Sequence, residues 1–190
     1  MAKKKLSPAP GQMAYLNKEF MESDAGRPLR ILSEFYEPQQ VFEQEEIKNS
    51  IVFFGSARTL PPDEIKKRRK GCKDKKELAR LARLEKVAES YNAARELGQR
   101  LGKWANKRHQ GYAIMTGGGP GIMEAGNRGA TDVGTPSIGL NIKLPFEQHP
   151  NPVMTGSDKM MNFYYFFTRK LNFLKESDAL VAFPGGFGTM

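Results

Sequence analysis

The sequence predicts an α/β fold, a doubly wound parallel sheet flanked by helices. Short apolar, β-prone runs alternate with longer stretches of helical periodicity along most of the chain. The links between them are short, and two of the runs lead directly into glycine-rich turns. A strand, a turn and a helix in succession form the unit of parallel sheets, whose crossover connections are right-handed. We therefore expect a parallel sheet with helices on both faces.

Four runs combine β-branched or other apolar residues with flanking turn residues, which is the pattern of a buried strand. They are residues 50–54 (SIVFF), 112–115 (YAIM), 137–141 (SIGLN) and 179–183 (ALVAF). Each is separated from the next by a stretch long enough for a crossover connection. The sheet is therefore predicted to be Rossmann-like and to occupy residues 49–190, and we expect the fold to be completed only by residues beyond these.

The longest predicted helix covers residues 74–108. Its apolar positions recur every three or four residues from Leu78 to Trp104, which indicates one buried stripe. An unbroken helix of this length would be roughly 50 Å long, which is more than a small domain needs. We therefore expect a break, or a projecting arm, near residues 89–92.

Other helices are predicted from composition and periodicity. One begins near Pro120, and another, rich in aromatic residues, covers residues 157–175. Residues 13–48 form a predicted accessory segment of two helices separated at Pro38, packed on the main domain or on a partner subunit. Residues 1–12 are predicted to be a disordered basic tail.

Composition excludes several classes of protein. The 190 residues are 39% hydrophobic, enough for one core, and no run approaches the roughly 20 apolar residues of a membrane span. The lysines near the start precede no apolar stretch, so no secretory signal is predicted. The single cysteine, Cys72, allows neither an internal disulfide nor a cysteine zinc site, and we expect a reducing cytoplasm. His109 and His149 lack metal-ligand spacing, so no metal site is predicted.

The net charge of +9 is unevenly distributed. Residues 61–110 hold sixteen basic and seven acidic side chains, whereas the segments on either side are balanced. Such an excess either binds nucleic acid or forms the solvated face of a helix. We favour the solvated face and do not expect nucleic acid as a partner.

Two glycine turns point to a phosphorylated ligand. One follows the last predicted strand and reads PGGFGT, and the other follows the second strand and reads TGGGPG. Without Cβ atoms, glycines let backbone N–H groups point at an anion, and the helix that follows adds the positive end of its dipole. Tight strand-to-helix packing needs the same glycines, and that alternative stays open for each turn. The first strand also ends in a small-residue turn, Gly55-Ser56, at the edge where open α/β sheets bind ligands.

The chain resembles a known family. The residues that carry the resemblance are TGGGPGIME at 116–124, the pair Arg169-Lys170, and SDALVAFPGGFGT at 177–189. In this order and spacing they resemble the LOG ("lonely guy") family, long labelled possible lysine decarboxylases, whose signature is PGGxGTxxE with a second glycine-rich turn. The similarity runs from about residue 28 to the end. It is nearest to the longer bacterial branch, which carries an MNFYYFFTRK helix.

The resemblance implies hydrolysis of the N-glycosidic bond of a nucleoside 5′-monophosphate, AMP-like or cytokinin-like, to the free base and ribose 5-phosphate. It implies no cofactor. It assigns the catalytic arginine to Arg169 and a catalytic glutamate to the second position after Met190, so we expect residues 1–190 alone to be inactive. The other implied binding residues are Gly185, Gly186, Gly188 and Thr189 for the 5′-phosphate, Gly118, Gly119 and Gly121 along the nucleotide, and Gly55 and Ser56 at its border.

Two departures from the plant-type members bear on specificity. Glu124 stands where those members have a glycine, and Tyr165-Phe166-Phe167 stands where they have an acidic-Met-His run. Glu124 is therefore a candidate specificity residue, and the preferred base stays open.

Other functions fit the sequence less well. A dinucleotide-binding dehydrogenase does not fit, because GSAR rather than GxGxxG follows the first strand. Nothing marks a Schiff-base lysine for a pyridoxal phosphate enzyme. A non-catalytic nucleotide- or nucleic-acid-binding protein, of the DNA-processing or molybdenum-cofactor-carrier type, is the remaining alternative.

The apolar surface predicts self-association. The stretch 157–175 carries six aromatic side chains, from Phe163 to Phe173, and the accessory segment 13–48 is also rich in large apolar residues. Together they offer more apolar surface than the predicted sheet can cover. We therefore expect a homodimer or a larger oligomer.

Overall fold

The computed structural model describes residues 11–143, 149–186 and 189. Residues 1–10 of the predicted tail lie outside this description. None of the helices in the described ranges has the length and apolar content that crossing a membrane requires. After a 3₁₀ turn at Ala14–Leu16, the elements in chain order are α1 (Lys18–Glu22), α2 (Arg27–Gln44), β1 (Asn49–Phe54), α3 (Pro62–Arg69), α4 (Lys75–Arg108), β2 (Tyr112–Thr116), α5 (Ile122–Thr131), β3 (Ser137–Ile142), β4 (Met160–Phe163), α6 (Phe166–Lys175) and β5 (Ala179–Ala182).

The strands of the described residues form one parallel sheet in the order β4-β3-β2-β1-β5. Ile51 of β1 lies opposite Ile114 of β2 on one side and Ala179 of β5 on the other. Strands β1 to β4 are added in sequence order in one direction, and the chain then returns to place β5 on the other side of β1. The predicted doubly wound parallel sheet is confirmed. The order reverses between β1 and β5, which makes their carboxyl ends a topological switch point.

Alternate residues of β1 enter two different cores. Phe53 packs with Leu97 of α4 and Ala130 of α5. Its neighbour Val52 lies in a second core with Phe42 of α2 and the inner side of α6. Successive side chains of a strand point to opposite faces of the sheet. Helices α4 and α5 therefore cover one face, and α2 and α6 cover the other.

Helix α4 runs unbroken through 34 residues, so the predicted break near residues 89–92 is not present. Its second half approaches α5 very closely. A Cβ on Gly98 would lie 3.0 Å from the carbonyl oxygen of Gly126, and one on Gly129 would collide with the carbonyl oxygen of Arg95. Small residues at these positions bring the two helix backbones together.

The first half of α4 forms a projecting arm with α3. Tyr91, in the middle of α4, shares a cluster with Ile122 at the start of α5, and α5 begins at the carboxyl edge of the sheet. The turns of α4 before Tyr91 therefore extend beyond that edge. They pack against α3 through Ile65, Leu81 and Ala88. Of the two predicted alternatives, a break or a projecting arm, the structure therefore has the projecting arm. Residues 62–90 are called the α3–α4 arm below.

Helix α2 runs straight through Pro38, so the prediction of two helices separated there is wrong. A proline in a helix lacks the N–H that would bond to the carbonyl oxygen four residues earlier, here that of Glu34. The side-chain amide of Asn172, on α6, donates to this oxygen at 3.1 Å. A donor from another helix thus replaces the missing bond, and no local pattern in the sequence announces it.

The aromatic stretch predicted as one helix over residues 157–175 divides into a strand and a helix. Strand β4 lies at the edge of the sheet beside β3, and α6 begins only at Phe166. Met161 and Phe163 point into the core, and the Asn162 side chain accepts a hydrogen bond from Asn141 at 2.9 Å. The prediction is wrong in its first half because periodicity cannot separate a four-residue strand from an apolar helix.

Candidate functional site

Three turns meet at the carboxyl edge of the sheet, around the switch point. They follow β5, β1 and β2, which are neighbours in the sheet. The N–H of Ser56 donates to the carbonyl oxygen of Pro184 at 3.2 Å, and the N–H of Ile122 donates to that of Ser56 at 3.1 Å. The β1 turn is therefore bonded to the β5 turn on one side and to the start of α5 on the other. Predicted binding residues from three separate parts of the sequence lie side by side here.

Gly55 and Gly121 are required where the β1 turn contacts α5. A Cβ on Gly55 would collide with the side chain of Ile122, and one on Gly121 would collide with the carbonyl oxygen of Ser56. Gly121 also has a φ of +74°, a conformation that favours glycine. Tight packing, the alternative left open for the β2 turn, accounts for Gly121, and the same kind of contact accounts for Gly55.

A buried polar network holds the β2 turn. The hydroxyl of Thr116 accepts from the N–H of Gly118 at 2.9 Å and donates to Oδ1 of Asn127 at 2.8 Å. Nδ2 of Asn151 donates to the carbonyl oxygens of Gly118 and Gly119 at 3.1 and 3.0 Å, and to Oδ1 of Asn127 at 2.9 Å. All five residues are buried. The turn is therefore held by buried hydrogen bonds from within the protein itself.

Gly118 and Gly119 lie behind the surface of this edge. The N–H and the carbonyl oxygen of Gly118 are both bonded inside the protein, to Thr116 and Asn151. A Cβ on Gly118 would also collide with the side chain of Met160 on β4. The structure thus places Gly118 where it shapes the turn from within.

Arg169 lies over the end of β2. It is in the first turn of α6, and its Nε donates to the carbonyl oxygen of Leu140 at 2.6 Å. Strand β2 ends at Thr116, opposite Gly139, so Leu140 is the first residue of β3 beyond that ladder. The arginine supplies the donor that β2 no longer provides. Its guanidinium also stacks over the ring of Phe173 at 5.0 Å.

The charged end of Arg169 is available to a ligand at this edge. Its Nη2 lies 2.5 Å from the position that a Cβ on Gly117 would occupy, so the guanidinium lies directly against the β2 turn. Burial lowers the pKa of Arg169 to about 10, because desolvation disfavours the charged form. In the described part of the chain, no carboxylate pairs with it. A cation at neutral pH in this setting gains most from an anionic or electron-rich ligand.

The β5 turn is exposed, unlike the β2 turn. The N–H of Thr189 donates to the carbonyl oxygen of Gly186 at 2.9 Å, which closes the turn. The side chain of Thr189 packs on Gly185, where no Cβ would fit, whereas no described atom lies within 4 Å of a Cβ on Gly186. Gly188, the remaining predicted phosphate residue, lies outside the described residues. Two strand spacings, about 10 Å, separate β5 from β2.

Glu124 faces α4. Its Oε1 accepts from Nε of Arg128 at 2.7 Å and from the hydroxyl of Tyr91 at 3.4 Å. Burial, and then the charge of Glu124, raise the pKa of Tyr91 to about 12. The carboxylate predicted as a specificity group is therefore bonded to α4 and α5 side chains.

Of the two histidines, His109 lies away from this edge. His109 ends α4 at the opposite edge of the sheet, with a φ of +52°. His149 precedes Asn151 in the segment that leads to β4. Within the residues that the structure describes, no group of three or more His, Cys, Asp or Glu side chains is placed to hold a metal ion.

Sequence reasoning missed Asn127, Asn151 and Glu34. One local signal was present for Asn151, because an Asn-Pro pair favours turn initiation. Oδ1 of Asn151 indeed accepts from the N–H groups of Val153 and Met154, at 3.1 and 3.2 Å. Asn127 and Glu34 carry no such signal, since their partners come from other elements.

The α3–α4 arm concentrates the positive charge of the protein beside this edge. Three of its arginines pair with glutamates, at 2.7 to 2.9 Å. All seven of its lysines are exposed and, among the described residues, form no ion pair. They are Lys66, Lys67, Lys70, Lys73, Lys75, Lys76 and Lys86.

Comparisons with known proteins add a partial family match. Residues 123–190 match the model of a family described as "possible lysine decarboxylase". The matched segment is a little over a third of the chain and includes Arg169 and the PGGFGT turn. Among solved structures, the X-ray structure of TM1055, a structural genomics target, is similar, with 22% identity, a TM-score of 0.48, and coverage of 74% of this chain and 64% of that chain. This chain thus spans less than two thirds of that protein. No curated protein matches significantly.

Proposed function

We propose that this protein hydrolyses the N-glycosidic bond of a nucleoside 5′-monophosphate, releasing the free base and ribose 5-phosphate. The observation that carries the proposal is Arg169, a desolvated guanidinium with no carboxylate partner among the described residues, at the same edge as the PGGFGT turn. The match of residues 123–190 to the family model supports the same chemistry. An AMP-like or cytokinin-like nucleotide is the proposed substrate class.

In this proposal the substrate lies along the carboxyl edge of the sheet between β5 and β2. We place the 5′-phosphate at the β5 turn, where Gly185 and Gly186 are exposed. The ribose then lies along Gly55 and Ser56, and the glycosidic bond lies toward Arg169. The two ends of this path are about 10 Å apart, which suits an extended nucleotide.

The reaction consumes one water molecule and no cofactor. Water adds to C1′ of the ribose, the C1′–N bond breaks with its electron pair on the base, and a proton from the water ends on the base. The oxocarbenium-like transition state needs a carboxylate beside it. The resemblance assigns that carboxylate to the second position after Met190, and Glu124 does not replace it because its oxygen is bonded to Arg128 and Tyr91. Arg169 orients the substrate and stabilises charge on the leaving base.

The test is release of free adenine from AMP by the full-length protein, followed by chromatography. We expect turnover of AMP and none of adenosine, because the β5 turn binds phosphate. Arg169→Ala should lower turnover about a hundredfold or more, as expected for loss of one preorganised transition-state group. Lys170→Ala is the matched control, since Lys170 is exposed beside it, and it should keep wild-type turnover.

Equal turnover of adenosine and AMP would contradict the proposal, and so would an Arg169→Ala variant with unchanged activity. Adenine release must exceed that of a buffer control.

A second candidate function is nucleic-acid binding through the α3–α4 arm. The observation that favours it is the group of seven exposed lysines, from Lys66 to Lys86, without ion pairs among the described residues. Residues 61–90 contain no aromatic side chain, so the contacts would be to phosphates rather than to stacked bases. Salt-dependent retention on duplex DNA, lost when these lysines become glutamine, would favour this candidate. Absence of retention at low salt would exclude it.

A further inference from the structure

We propose that Glu34 is a positioning residue that sets the orientation of Arg169 through the start of α6. The inference rests on the function proposed above for Arg169. Glu34 lies on α2, in the segment predicted from the sequence to be accessory, and only 8% of it is exposed. It belongs to none of the three motifs that carry the resemblance to the LOG family.

The start of α6 has no cap of its own. Tyr165, the residue before its first turn, provides no side-chain acceptor. Glu34 supplies the acceptors instead, with Oε1 taking the N–H of Tyr164 at 2.7 Å and Oε2 taking that of Tyr165 at 3.3 Å. The hydroxyl of Thr168 also donates to Oε2. One carboxylate from α2 therefore holds three donors where the chain enters α6.

This anchor is one hydrogen bond away from Arg169. The N–H of Arg169 donates to the carbonyl oxygen of Tyr165 at 3.2 Å, so the residue whose N–H is bonded to Glu34 also accepts from the backbone of the arginine. The phenol of Tyr165 is fixed as well, since it accepts from Nε of Arg30 on α2 at 3.2 Å. The first turn of α6 thus takes its orientation from α2.

A second contact ties α6 to the same residue beyond the arginine. Nδ2 of Asn172 donates to the carbonyl oxygen of Glu34, the one that Pro38 leaves without an intrahelical donor. Arg169 lies between these two attachments, and its own Nε is bonded to Leu140 at the end of the sheet. A shift of α6 at Glu34 would therefore move the guanidinium relative to the glycine turns.

A buried carboxylate is a demanding way to join two helices. Its desolvation is costly, and apolar residues could join the same helices at lower cost. What directional hydrogen bonds add is a defined orientation, and a displacement of about 1 Å at a catalytic group can cost a factor of about a hundred in rate. The need to position Arg169 thus explains why the buried carboxylate of Glu34 lies at the start of α6.

The experiment compares Glu34→Gln, Thr168→Val and the matched control Glu37→Gln, an exposed glutamate on the same helix. In Glu34→Gln an amide donor faces the N–H groups, whereas Thr168→Val removes one donor at constant size. Three quantities are measured for each variant, namely kcat and KM for adenine release from AMP, Tm, and the NMR signal of the Arg169 Nε–H. We expect Glu34→Gln to lower kcat about ten- to a hundredfold with little change in KM, and to shift or broaden that signal. Thr168→Val should do the same to a smaller extent, and Glu37→Gln should do neither.

The inference is overturned if Glu34→Gln and Thr168→Val lower Tm but keep the wild-type kcat and the wild-type Arg169 signal. If the wild-type protein releases no adenine, the proposed function fails. The NMR signal then still decides the inference, because a moved signal supports positioning and an unmoved one overturns it. If Glu34→Gln does not fold, Thr168→Val decides by the same readouts.

Discussion

The two faces of the sheet are held by different means. On one face, α4 and α5 approach so closely that a Cβ on Gly129 would collide with the backbone of α4. On the other face, α2 and α6 are joined by a few buried polar contacts centred on Glu34 and Asn172. The outer side of α6 remains apolar and open, with Leu174 70% exposed and Phe166 53% exposed.

This difference separates two structural tasks. Contact between backbones fixes the distance between two helices and leaves no room for an added atom. Hydrogen bonds from a few side chains fix an orientation instead, and they can be weakened without pushing the helices apart. Arg169 lies on the face where side-chain hydrogen bonds fix the orientation of the helices.

The largest effect is expected where the backbones touch. Gly129→Leu should force α4 and α5 apart, because the atoms that its Cβ would meet are the carbonyl group of Arg95 and Cα of Gly98. We expect a loss of about 3 kcal/mol in unfolding free energy, or roughly 10 °C in Tm. Thermal unfolding followed by circular dichroism measures it.

Thr131→Leu, on the exposed side of α5, is the control for this change. It should alter unfolding free energy by less than about 0.5 kcal/mol. A Gly129→Leu protein as stable as this control would mean that the two helices can separate freely, and the contrast between the faces would disappear.

A smaller effect is expected on the other face, from Asn172→Leu. This change leaves the carbonyl oxygen of Glu34 buried without a donor, which should cost about 1–3 kcal/mol in urea unfolding. Pro38→Ala restores an N–H four residues after Glu34, so the double variant should recover part of the loss. A double variant whose loss equals the sum of the two single losses would refute the assignment of Asn172 as the substitute donor.

The smallest effect is expected at the surface between α4 and α5. Arg95 donates twice to Asp132, at 2.7 and 3.0 Å, and this pairing lowers the pKa of that carboxyl group. A lowered native-state pKa stabilises the fold above the unfolded-state pKa, and this contribution is lost as the pH falls through the native-state pKa. Because both side chains are partly exposed, Asp132→Asn should cost less than about 1 kcal/mol at pH 7.

Urea unfolding of wild type and Asp132→Asn at pH 7 and pH 3 tests this pairing. The difference between the two proteins should shrink at the lower pH. Glu96→Gln, which removes an exposed pair within α4, serves as control. A difference that stays constant between the two pH values would show that the charge of Asp132 contributes nothing.

The fold was predictable because its strongest signals are local. The apolar runs placed β1, β2, β3 and β5, and the stripe from Leu78 to Trp104 placed α4. The errors at β4 and Pro38 have physical causes. A four-residue strand is too short to show a period, and the effect of a proline depends on whether another helix offers a donor.

The site was predictable only where it follows a sequence pattern. The glycine turns and Arg169 belong to such patterns, and the structure places them along one edge. The groups that hold them do not, because Asn151 acts on a turn 33 residues away and Asn172 on a carbonyl 138 residues away. The local sequence therefore indicated the residues expected to face a ligand, but not the residues that hold them in place.

The reversal of strand order has a consequence for the newborn chain on the ribosome. Ser50 and Asp178, which are hydrogen-bonded where β1 and β5 begin, are separated by 128 residues. At the usual pace of translation, β1 waits on the order of ten seconds for β5 to be made. During that interval the N–H and C=O groups on one side of β1 are unpaired. They can then pair with a strand of another chain, and such pairing leads to aggregation. The strand order that creates the ligand edge thus also sets how long β1 is open to aggregation during synthesis.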